Sequence, residues 1–124
     1  MMQALAIAGG GAIGALMRFY ASTGVYAFLG RGFPYGTLFV NISGSIVMGL
    51  LYVLFIDRLQ VSPEVRSALL VGVLGAFTTF STFSIETLNL LENGELGKAT
   101  LNIVLSISLC LLGAWLGMLA GRQL

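Results

Sequence analysis

The chain has 124 residues, 57% hydrophobic and 9% charged, with six basic and five acidic side chains and no histidine. A soluble domain carries roughly 25% charged residues, so this composition excludes an ordinary water-soluble globule and fits a chain whose solvent is lipid. A net charge of +1 with no basic run excludes an electrostatic nucleic-acid binder, and a lone cysteine, Cys110, excludes an intrachain disulfide and a His/Cys metal cluster.

The charges are placed so as to leave four apolar stretches. There are 25 uncharged residues between Arg31 and Asp57, 19 between Arg66 and Glu86, and 23 between Lys98 and Arg122. A bilayer core requires roughly 20 apolar residues per helix. Membrane spans are therefore predicted near 3–29, 35–56, 66–92 and 99–121, in one all-α domain over 1–124.

The first span opens on Gly9-Gly10-Gly11 and carries Arg18, a charge that must snorkel or find a partner. Met1 to Gly14 has no basic side chain and apolar residues run on to Leu29, so the segment reads as a span and not as a signal peptide. Gly30-Arg31-Gly32-Phe33-Pro34 is a turn. The second span holds Asn41 near its start, then Ser43, Gly44, Ser45 and Gly49.

Ser62-Pro63-Glu64 marks the start of the third helix: Ser62 caps, Pro63 suits the first position and Glu64 favours the dipole. As one straight helix from there to Glu92 the segment would be about 43 Å long, more than a hydrocarbon core of about 30 Å. A break or a steep tilt is expected. The glycines and hydroxyls of residues 72–84 put weak helix formers at mid-membrane and mark the break there. Asn93-Gly94 closes the helix. The fourth span carries Asn102, Ser106, Ser108 and Cys110, with Trp115 and Arg122 as interface anchors and Cys110 as a small packing residue.

Four spans put Arg58, Arg66 and Arg122 on one side and Arg31 and Lys98 on the other. Orientation follows the Lys/Arg bias of short loops, and three against two is nearly balanced. Dual topology and a weakly biased single topology both remain open on charge alone. Four helices leave little room for a pore within one subunit, which favours an oligomer. The stripes Gly113-xxx-Gly117-xxx-Gly121 and Gly10-xxx-Gly14 allow close helix approach, and packing within the chain is the favoured use of at least one of them.

No Asp, Glu or Lys lies deep in a span, Glu86 standing toward the end of the third. A proton-coupled pump or small drug exporter needs an intramembrane carboxylate or histidine, and an enzyme needs a nucleophile beside a base, or a metal. What remains is a run of neutral donors and rings: Asn41, Thr79, Ser81, Thr82, Phe80 and Phe83. Hydroxyls and amides donate hydrogen bonds, and ring edges carry the positive end of the quadrupole. Such groups stabilise a small anion without holding it too firmly to leave. The plainer reading of Phe80 and Phe83 is packing or lipid contact, and a non-transporting assembly subunit is a further alternative.

The chain resembles the Fluc (CrcB) fluoride channels. The resemblance rests on residues 72–86, which look like the family's G-x-x-G-x-x-T-T-F-S-T-F-S-x-E signature. It rests also on Gly10-x-Ala12-Ile13-Gly14-Ala15 with Arg18, and on Asn41-Ile42-Ser43-Gly44 with Gly49. It implies an antiparallel, dual-topology homodimer in the bacterial inner membrane that exports fluoride passively through two pathways. It implies that Phe80, Phe83, Asn41, Thr79, Ser81 and Thr82 line each pathway, and that Arg18 stands in a vestibule or near the membrane surface. It implies a structural sodium ion at the dimer centre, held by the backbone carbonyls of Gly75 and Thr78. Asn102 departs from a tyrosine common in the family, which leaves the fourth helix's share in the pathway open.

Overall fold

A computed structural model describes residues 1–124. The chain is all-helical, and four helical stretches are long and apolar enough to cross a membrane: Met2–Leu29, Tyr35–Arg58, Pro63–Glu92 and Leu96–Gln123. These are the predicted spans: the first gains only Met2, and the other three run slightly further, over charged end residues such as Arg58, Glu64 and Lys98.

The first span is a single helix, α1 (Met2–Leu29), stopped by Gly30 at φ 84°. The second is α2 (Tyr35–Val53), which ends in a π turn over Leu54–Arg58 where Leu59 N–H donates to Leu54 O at 2.7 Å. The third is segmented: α3 (Pro63–Ser67), a π-helical stretch over Ala68–Leu74, the single turn α4 (Gly75–Phe77), an extended pair at Thr78 and Thr79, and α5 (Phe80–Glu92). Val65 N–H donates to Ser62 Oγ at 3.2 Å, the cap expected there. Gly94, at φ 77°, turns the chain into α6 (Leu96–Gln123).

The break therefore lies inside the predicted stretch, at Thr78 and Thr79. Thr78 is extended (φ −85°, ψ 158°) and so is Thr79 (φ −152°, ψ 120°). The π turns were not foreseen. A π turn inserts a residue into a helix without leaving an apolar face, so hydropathy carries no mark of it.

Glycine sets the helix spacing. A Cβ on Gly117 would fall 2.1 Å from Ile46 O, and one on Gly49 would fall 2.1 Å from Ala114 O, so α2 and α6 touch backbone to backbone. The same holds between α1 and the π stretch, where a Cβ on Gly14 would fall 2.1 Å from Val73 O. Both small-residue stripes are thus spent on packing within the chain. Only 22 of the 124 residues are buried, so most of the apolar surface faces outward, toward lipid or another polypeptide.

Candidate functional site at the break in the third span

The site is built around one redirected peptide. In an unbroken helix Thr79 N–H would bond to the carbonyl four residues back, that of Gly75. Here it donates to Asn41 Oδ1 of α2 at 2.7 Å, and Asn41 Nδ2 donates back to Thr79 O at 3.0 Å. The side-chain amide of Asn41 thus takes both backbone groups of Thr79. One Nδ2 hydrogen remains uncommitted, since an amide nitrogen carries two.

The turn that follows begins afresh. Thr79 Oγ1 accepts from Thr82 N–H at 3.2 Å, capping α5, and donates to Thr82 Oγ1 at 3.1 Å. On the other side of the break, Thr78 N–H and Thr78 Oγ1 both donate to Leu74 O, at 3.1 and 3.0 Å. Arg18 Nε, from α1, donates to Ala76 O at 2.9 Å. The intramembrane charge thus has a partner, a carbonyl at the break. The amides that would close helical turns on Gly75 and Thr78 are diverted to Asn41 Oδ1 and Thr79 Oγ1. Close approach of α2 to this segment depends on Gly44, where a Cβ would fall 2.4 Å from Thr78 Cγ2.

Two cavities meet at Thr79. A cleft of about 450 Å³ is lined by Asn41, Thr78, Thr79, Phe80, Phe83 and Ser106, among others, and Cys110 also borders it. The rings of Phe80 and Phe83 stand 5.3 Å apart between centroids, tilted by 42°. Phe80 is 78% exposed, so its ring is presented outward from the chain and not packed in a core. The second cavity, of about 200 Å³, is polar and includes Arg18, Tyr26, Arg31, Thr79, Thr82 and Glu86 in its walls.

The predicted residues divide accordingly. Asn41, Thr79, Phe80 and Phe83 are brought together in the cleft, and Thr82 and Arg18 in the polar cavity. Ser81 borders neither; it is exposed, with its Oγ 3.4 Å from Thr79 Oγ1. Gly75 is also exposed, beside the break.

Sequence reasoning singled out neither Tyr26 nor Glu86 for the site. Tyr26 Oη donates to Glu86 Oε2 at 2.7 Å and lies 3.3 Å from Thr37 Oγ1. Arg31 sits over the Tyr26 ring, 4.5 Å from its centroid. Arg18, Ser22 and Tyr26 recur at intervals of four, a polar stripe on one face of an otherwise apolar helix. That spacing was the available signal.

No group of His, Cys, Asp and Glu side chains is placed to hold a metal ion. The oxygen ligands on offer at the break are backbone carbonyls, which suit a hard cation.

The family model described as "CrcB-like protein, Camphor Resistance (CrcB)" matches residues 5–118. A protein of Methylococcus capsulatus called fluoride-specific ion channel FluC is 56% identical over 123 residues, covering 99% of this chain and 54% of that protein. A protein of the same name from Magnetococcus marinus is 55% identical over 121 residues, covering 98% of each chain. Another, from Geobacter sulfurreducens, is 49% identical over 124 residues, covering all of both.

Proposed function

The chain belongs to the CrcB-like family, and from that premise we propose that it is a fluoride-selective channel through which cytoplasmic fluoride leaves passively down its electrochemical gradient. It is a multi-pass membrane protein of a channel family and not an enzyme. The single observation that carries the selectivity reading is the cleft at the break, whose walls hold a ring pair and neutral donors together.

Fluoride is small and strongly hydrated, so a pathway must replace its water with donors. The edges of Phe80 and Phe83 offer positive partial charge. Thr79, Ser81 and Thr82 offer hydroxyls, and Asn41 offers the Nδ2 hydrogen that Thr79 O leaves over. None carries a full charge, so binding is favourable without trapping the ion. Arg18 lies in the neighbouring polar cavity; acting as a vestibule charge, it would raise the local anion concentration. A channel of this kind relieves a cell into which hydrogen fluoride enters as a neutral acid and ionises.

The functional unit is an antiparallel homodimer of dual topology in the bacterial inner membrane, with two pathways. The exposed ring of Phe80 supports this, because a second copy would wall the open side of the cleft. The near balance of Lys and Arg between the two sides supports insertion both ways. The whole of residues 1–124 forms one channel domain.

A sodium ion at the dimer centre is part of the proposal. The residues fit it: the helical donors of the Gly75 and Thr78 carbonyls are taken by Asn41 Oδ1 and Thr79 Oγ1, and two carbonyls from each subunit make four oxygen ligands. When bound, the ion supplies a fixed positive charge that ties the two breaks together.

Efflux from liposomes loaded with fluoride or chloride tests the reading. Fast fluoride efflux with negligible chloride efflux supports it, and loss of both ions at equal rate, or of neither, refutes it.

A further inference from the structure

We propose that Asn41, besides facing the fluoride cleft, is the positioning residue of the cation centre: by taking the Thr79 amide it withholds the helical donor of the Gly75 carbonyl and leaves that oxygen available to sodium. This rests on the reading of Gly75 and Thr78 as the ligands.

The break strips the helical donors from the carbonyls of Gly75, Ala76, Phe77 and Thr78 alike, and side chains settle the fate of most of the row. Leu74 O accepts from Thr78 N–H and from its hydroxyl. Ala76 O accepts from Arg18 Nε, and Thr79 O from Asn41 Nδ2. Gly75 O stands in this row between two committed neighbours, and its own helical donor, Thr79 N–H, is held by Asn41 Oδ1 at 2.7 Å. Thr78 O loses its donor to a group within its own segment, Thr79 Oγ1. Gly75 O alone is released by a side chain from another span.

Removing that side chain has a defined consequence. Thr79 N–H would be left without a partner at membrane depth, where an unpaired amide is costly. The nearest repair is to close the ordinary helical turn on Gly75 O. That withdraws one ligand per subunit from the centre. Asn41 also borders the cleft with Phe80 and Phe83, so a single amide links the cation centre to the fluoride path.

Two variants separate the roles of its two atoms. Asn41→Ala removes the acceptor for Thr79 N–H. Asn41→Asp keeps an oxygen in its place. The readout is the unfolding temperature of the purified full-length protein in detergent, as sodium replaces N-methyl-glucamine at constant ionic strength. A bound ion stabilises the folded state as its concentration passes its dissociation constant.

The wild type is expected to gain stability with sodium and saturate, and Asn41→Asp to saturate at a similar concentration. Asn41→Ala is expected to need roughly tenfold more sodium, the equivalent of one lost hydrogen-bonding arrangement. Asn41→Leu replaces it if the alanine variant does not fold. Phe80→Ile, which alters the same cleft but not the Thr79 amide, is expected to keep the sodium response.

A wild-type midpoint in folded Asn41→Ala or Asn41→Leu overturns the positioning role and leaves the cation reading standing. So does loss of the response in folded Asn41→Asp. A wild type indifferent to sodium overturns the cation reading, and this inference falls with it.

Discussion

Asn102 Nδ2 donates to Thr87 Oγ1 at 2.8 Å, tying α6 to α5. Asn102 is 2% exposed and its Oδ1 accepts from Ser106 Oγ at 3.3 Å, so both ends of its amide are used inside the chain. The fourth helix therefore meets the cleft through Ser106, Ile107, Cys110, Leu111 and Ala114, and Asn102 is turned toward the third span. Replacing it with leucine should lower stability by about 1 kcal/mol, the usual scale for an interhelical hydrogen bond in lipid. A lower unfolding temperature with unchanged discrimination between fluoride and chloride is the expected result; loss of discrimination would place Asn102 on the pathway after all.

Phe80 and Phe83 offer the sharpest change of function for the least change of fold. Isoleucine at either position keeps bulk and removes the ring edge. Because Phe80 is 78% exposed, the substitution leaves no core cavity there. Fluoride efflux should fall about tenfold, the rate equivalent of an aromatic-edge interaction of about 1.4 kcal/mol, while the protein elutes as the same oligomer. Full efflux in both variants would make the rings packing or lipid-contact residues.

Glycine at the helix contacts is a steric requirement. Ala at Gly14 or Gly117 would press a methyl against Val73 O or Ile46 O, each a backbone atom that cannot yield. Either change should cost about 2 kcal/mol or more by overpacking. Gly24 has open space where a Cβ would go, and alanine there should be tolerated. Unfolding temperatures of the three variants give the comparison.

Tyr26→Phe isolates one hydroxyl. Glu86 Oε2 would lose its tyrosine donor, while Oε1 is already buried without a partner. The ring under Arg31 would remain. A loss of about 1–2 kcal/mol is expected from the unpaired carboxylate oxygen. Tyr26→Leu, which also removes the ring face, should cost more. Equal losses in the two would assign no weight to the Arg31 contact.

The four spans were legible because apolar length is written directly into composition, and the ends at Gly30, Ser62 and Gly94 because each is a residue a helix end requires. The break was legible as a region, through the glycines and threonines of residues 72–84. Its exact place was not, because what opens it at Thr79 is an amide 38 positions earlier in the sequence. For the same reason Asn41 reads from sequence as a pore donor only, and its hold on the Thr79 peptide is visible only in three dimensions. The Tyr26–Glu86 pair joins residues 60 apart, and neither carries a local signal of the other.

The most direct measurement is the reversal potential of current through the purified protein in a planar bilayer, with fluoride on one side and chloride on the other at equal concentration. The account predicts a reversal potential displaced far toward the fluoride equilibrium potential, with current reduced about tenfold in Phe80→Ile. A reversal potential near zero, or current that follows chloride, would contradict it.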